Sequence, residues 1–210
     1  MPRMSSVDRR LEIVQAALRV IGEVGVQGAT TRAIVAEAGM PLASFHYAFA
    51  SRDEMMEELI AHVVETQSIA AFEAIRFSGD IRSTIRDGLQ AFFDTIVADT
   101  AEEQVLFELM LFAMRTPGLE SLPQRQWAKY RDAARQVLEA AAESAGIEWR
   151  VPIDTVARML ITFTDGLTLA WLADRDLAAA ASVMDLAADS LYALTTPRAP
   201  TPLTTKDALA

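Results

Sequence analysis

The chain has 210 residues, 51% of them apolar and 23% charged, which is enough for a packed core in one domain or in a small module joined to a larger one. It has no cysteine, which excludes disulfides, thiolate zinc sites and cysteine nucleophiles. The net charge of −10 is uneven: residues 1–52 carry six arginines against four acids, whereas residues 53–210 carry 13 basic and 25 acidic side chains, an asymmetry that suits different partners for the two segments.

At the N-terminus, Asp8, Arg9, Arg10 and Glu12 interrupt the chain before the apolar stretch of a secretory signal can build up, so a cytoplasmic protein is expected. Leu11, Val14, Leu18 and Ile21 then form an apolar stripe at helical spacing, with Ile13, Ala17, Val20 and Val24 beside it. A helix apolar over so wide an arc must be covered on most sides, and Gly25 and Gly28 end it. A short helix over 31–37 follows, with Thr30 or Thr31 as N-cap and Gly39 as terminator. Pro41 suits the first residue of a third short helix, where its missing N–H is not needed. Ser51 and Glu54 make a capping-box pattern, with Asp53 adding charge at the positive helix end, and predict a long helix to about Phe77. Further helices are predicted over 81–98, 101–115, 121–145, 153–174 and 177–194, separated by Asp99-Thr100, Thr116-Pro117-Gly118, Gly146 and Val151-Pro152. The apolar run 159–173 carries Asp165 and falls short of the roughly 20 apolar residues of a membrane span, so no membrane partner is expected. Residues 196–210 are expected to be a disordered tail. The fold class is all-α: a three-helix unit at 1–52, then a larger helical domain at 53–195.

Three short helices around Ile34, Phe45 and Phe49, with a glycine turn between the second and third, match the helix-turn-helix plan, in which the third helix lies in the major groove. The stretch from Arg9 to Met55 resembles the N-terminal domain of the TetR family of transcriptional regulators from end to end. The matching features are the Ile13–Ala17 helix, Gly25, Thr30-Thr31-Arg32, Ile34, Ala38-Gly39, the aromatic run ending at Phe49, and Ser51-Arg52. Farther on, Asp165, Gly166, Leu167 and Trp171 resemble the family's dimerisation helices. The third helix departs from the family's usual Leu-Tyr-x-His-Phe ending: His46 replaces the first tyrosine and Ala48 the histidine, while Tyr47 and Phe49 conform.

The resemblance implies a ligand-responsive regulator, a repressor that grips a palindromic double-stranded DNA operator as a dimer and is released by a small molecule. Thr30 and Thr31, at a helix N-terminus, suit a phosphate. Tyr47 and Arg52 are candidates for backbone contact, giving salt sensitivity with little sequence information. Arg32 is the best candidate for a guanine edge. Pro41, Leu42, Ala43, Ser44 and His46 complete the expected reading surface, and its small apolar tip suits readout of DNA shape. The alternative is a related DNA-associated adaptor or orphan ligand binder without operator repression.

Catalysis is not expected. Glu58 and His62 raise the question of a di-iron bundle, but such a site needs two Glu-x-x-His motifs and two more carboxylates, and the chain has two histidines in all. No phosphate-binding glycine loop and no nucleophilic triad is present, and no cofactor or metal is expected. In the larger domain, Phe72, Phe92, Phe93, Phe107, Met110, Met114, Trp127, Phe163 and Trp171 are the candidates for lining a pocket for a hydrophobic effector. Gln104, Glu108, Thr162 and Asp165 are conceivable polar anchors. Leu177, Ala181, Met184, Ala188 and Leu191 form one stripe, and Met159, Leu160, Phe163, Leu167 and Trp171 another. Together they suggest a homodimer through residues 153–194 as a four-helix bundle.

Overall fold

Ser5 opens the first helix, α1 (Ser6–Gly28), by accepting a hydrogen bond from the Asp8 N–H at 3.0 Å. The structure is a computed structural model that describes residues 5–73 and 80–198; of residues 64–73 and Glu102 it describes the backbone alone. Regular helix stops at Gly25, whose φ of +73° leaves the right-handed region. Thr30 then caps α2 (Thr31–Glu37), its hydroxyl accepting from the Ala33 N–H. Gly39, at φ +64°, ends α2 in a Schellman turn: the Met40 N–H donates to the Val35 carbonyl and the Gly39 N–H to that of Ala36. Pro41 is the N-cap of α3 (Leu42–Ala48) rather than its first residue, and its carbonyl accepts from the Ser44 N–H.

Ser51 caps α4 (Arg52–Glu73) through the Glu54 N–H, but the Glu54 carboxylate reaches back to the N–H of Ala50, one residue earlier than the capping-box pattern. The remaining helices are α5 (Ile81–Ala98), α6 (Thr100–Arg115), α7 (Ser121–Ala145), α8 (Ile153–Asp174) and α9 (Leu177–Tyr192). Among the described residues two short strands join them, β1 (Ile147–Trp149) and β2 (Thr195–Pro197), paired antiparallel with Glu148 opposite Thr196. The expected tail therefore begins as strand. Three residues are too few to show alternation in sequence, and the pairing depends on Gly146, whose carbonyl accepts from Arg198. The rest of that segment lies outside the described residues.

Two hydrophobic cores result. The first joins α1, α2, α3 and the start of α4 to α6: Ile34, Phe45 and Phe49 are buried together with Leu59, Leu106 and Leu109. Packing therefore continues across residue 52, and α6 shares the core of the N-terminal helices. The second joins α5, α7, α8 and α9 around Phe93, Leu138, Trp171, Met184 and Leu191. Burying side chains of this size contributes roughly 1.5–3 kcal/mol each, so each core is a substantial stabilising unit. The ion pairs Arg82–Asp189 and Arg86–Asp185 tie α5 to α9.

Candidate nucleic-acid interface and effector cavity

The seven-residue helix α3 is too short to persist alone, so its orientation comes from what lies beneath it. Phe45, Ala48 and Phe49 face the first core. Arg10 fixes the far end. Its guanidinium donates to the Ala48 carbonyl, pairs with Glu54 and Glu58 of α4, and lies 4.2 Å over the Phe49 ring. The bonds to Glu58 and then Glu54 hold the Arg10 pKa above its ordinary value. The Ala50 N–H, followed by Arg10, holds the Glu54 carboxyl below its usual range.

With one side buried, the opposite side of α3 is presented outward. Pro41, Leu42, Ala43, His46 and Tyr47 are exposed, Tyr47 to 81%, and Ser44 is half-buried. On α2, Thr30 and Arg32 are exposed and Thr31 half-buried. The structure thus places nine of the ten expected DNA-contact residues on α2, α3 and their N-caps, Thr30 and Pro41. Arg52 departs from the group. It is half-buried and turned inward, donating to the Val26 carbonyl at 2.7 Å, 3.5 Å from that of Ala29, and lying over Phe112. It braces the link between α1 and α2, a role set by carbonyls more than 20 residues away and invisible in local sequence.

In the larger domain a cavity of about 80 Å³ opens between α5, α7 and α8. Its walls include Thr84, Leu89 and Phe92 of α5, Ala134 and Leu138 of α7, and Leu160, Ile161 and Thr164 of α8. Of the eight expected effector residues whose side chains are described, only Phe92 lines it. Phe93 and Trp171 pack edge to face at 5.4 Å within the second core. Trp127 and Phe163 pack against that core and Met110 against the first. Phe107 is half-buried on α6, Met114 is exposed, and the Phe72 side chain lies outside the described residues. Large residues fill space; this cavity forms beside small ones, Gly88, Ala134 and Ala141. A search for small residues on buried helix faces is the signal that could have found it.

Of the conceivable anchors, Gln104 and Thr162 are exposed, Glu108 is bonded to the head, and Asp165 is half-buried, its pKa pushed up to about 6 by desolvation. Three deeply buried atoms on α7 and α8, Gln126 Oε1, Arg135 Nε and Trp171 Nε1, have no hydrogen-bond partner among the described residues. Among the described residues no cluster of acids and histidines could hold a metal ion.

The stripes expected at a dimer interface also change place. Met184, Ala188 and Leu191 of α9, and Leu167 and Trp171 of α8, are buried within the chain; Ala181, Met159, Leu160 and Phe163 are half-buried. Leu177, the one stripe residue that stays exposed, shares the outward faces of the two helices with Leu169, Val183 and Leu186. Helix α8 is long and apolar enough to cross a membrane by length and composition, but it is packed between α7 and α9.

Residues 13–59 match the model of bacterial regulatory proteins of the tetR family, and residues 81–196 match the BetI-type transcriptional repressor C-terminal model. The chain belongs to the TetR family of bacterial regulatory proteins. A TetR-family repressor from Paenarthrobacter nicotinovorans, the HTH-type nicotine-responsive transcriptional repressor HdnoR, is 31% identical over 172 residues, covering 82% of this chain and 88% of that protein. Among solved structures, a transcriptional regulator from Rhodococcus sp. Rha1 superposes with a TM-score of 0.72 at 20% identity, covering 88% and 96% of the two chains. The multidrug binding protein EbrR complexed with imidazole superposes at 0.64 with 25% identity, covering 93% and 98%. The TetR fold accounts for both halves: an N-terminal helix-turn-helix domain and a larger C-terminal helical domain.

Proposed function

We propose that this TetR-family protein is a cytoplasmic repressor that binds a two-fold operator as a homodimer and is released by a small hydrophobic effector. One observation carries the DNA reading: α3 buries Phe45 and Phe49 and presents Leu42, Ala43, His46 and Tyr47 outward, with its end locked by Arg10. Arg32 extends that surface with an exposed cation suited to a guanine edge. Thr30, Thr31 and Tyr47 supply backbone-phosphate contacts. The outward apolar faces of α8 and α9 support pairing between copies, which would set two reading helices about 34–36 Å apart, one DNA turn.

The cavity between α5, α7 and α8 supports the effector reading. Its walls are apolar apart from two threonines, and the Thr164 hydroxyl is already bonded to the Ile161 carbonyl. The names of HdnoR and EbrR point the same way, toward small organic compounds. An effector would act by its difference in affinity for the DNA-competent and released states. Selection from a random DNA pool tests the proposal: it expects recovery of a palindrome, bound by the dimer and lost on adding effector. Sequence-blind attachment to any duplex would end it.

A further inference from the structure

The break in α1 is held from outside the three-helix head. At Gly25 the backbone turns into the left-handed region, which takes the next peptide off the helical ladder. The Val26 N–H donates at 2.7 Å to the carboxylate of Glu108 on α6. Its carbonyl accepts from Arg52 of α4. Arg52 in turn lies over Phe112, one turn along α6 from Glu108. Both polar groups of one buried residue are therefore taken by side chains from α4 and α6. A Cβ at position 25 would stand 3.1 Å from Glu108 Oε1, so a side chain there would push on the carboxylate by a few tenths of an ångström, in addition to straining the backbone angle. Six residues beyond Gly25, α2 begins; the elbow thus sets how α2 and α3 leave α1.

We infer that Glu108 is a positioning residue for DNA recognition: by holding the Val26 N–H it fixes the elbow that aims α3, and it passes movements of α6 directly to the reading head. The inference rests on the operator-binding reading above. A carboxylate accepting from an N–H is a charge-assisted bond, and its loss leaves a buried donor unsatisfied. α6 shares the head's core, whereas the cavity's walls come from α5, α7 and α8. Any shift of α6 relative to those helices is therefore applied at Val26.

The test uses the full-length protein with its selected operator and a shuffled duplex of equal length. Glu108→Ala is expected to lower operator affinity about tenfold or more while leaving affinity for the shuffled duplex within about twofold. Glu108→Gln, which keeps an acceptor oxygen, should recover operator affinity to within about threefold of the unmodified protein. Unchanged operator affinity in Glu108→Ala, or equal loss on both duplexes, overturns the inference. Should Glu108→Ala not fold, amide exchange on the unmodified protein decides: the Val26 N–H is expected to exchange at least about a hundredfold slower than in an unfolded peptide, and rapid exchange overturns the inference. If the unmodified protein discriminates between the duplexes and Glu108→Ala discriminates to the same degree, only the positioning role falls; if neither discriminates, the operator reading falls with it.

Discussion

Around Ile34, Phe45 and Phe49 the first core brings together long side chains from α1, α2, α3, α4 and α6, whereas between α5, α7 and α8 the second places Gly88, Ala134 and Ala141 where larger residues would close the space. The second region also leaves Gln126 Oε1 and Trp171 Nε1 buried without partners. A head that must present α3 in one orientation gains from a filled core, because close packing transmits position. A region that must admit a ligand cannot be filled to the same degree. The contrast separates the two tasks along the chain, and it assigns α6 to the rigid side.

The largest effect is expected in the first core. Phe49→Ala removes a ring that is 1% exposed and that stacks under Arg10, and should cost about 3–5 kcal/mol in denaturant unfolding, with loss of operator binding. A sharper comparison makes the same change in each core. Ala17→Leu, at a fully buried position of α1, should overpack the first core and cost about 1–3 kcal/mol. Ala134→Leu should instead grow into the cavity, shift stability by less than about 1 kcal/mol, and block the effector response while operator binding persists. Equal destabilisation by the two substitutions would remove the contrast.

On the outer surface, Arg32→Ala should relax discrimination at one base pair by about 1–3 kcal/mol, read by competition among single-base operator variants, without changing unfolding. The smallest effect belongs to Asp165. Its folded pKa, about 6, lies above the ordinary carboxyl value, so the folded state binds the extra proton between about pH 4 and 6 and stability falls as pH rises through that window. Asp165→Asn should therefore stabilise the protein by roughly 1 kcal/mol at pH 7, allowing for solvent screening of a half-buried group, with the gain vanishing below about pH 4. Thermal unfolding across that pH range measures it.

Most of the helical fold was legible in the sequence because its signals act over a few residues. Thr30 caps the helix that follows it, Gly39 turns the chain between α2 and α3, and the spacing of Ile13, Ala17 and Val20 marks a covered face. The exposed side of α3 could be read in the same way, since Phe45 and Phe49 fix which side is inward. These features depend on backbone conformation and helical periodicity, which neighbouring residues determine by themselves.

Tertiary structure decided the rest. The sequence identified Arg52 as a cation near the head, but carbonyls at Val26 and Ala29 turned it inward. Glu108 read as a candidate ligand anchor until α6 brought it to Val26. Met184 and Leu191 formed a stripe that suited a partner helix equally well, and α5 covers it within the chain. A cavity is a deficit of volume summed over three helices, and a buried hydrogen bond needs two groups brought together from distant positions. Neither quantity belongs to any short stretch of chain, so only the packed arrangement could fix them.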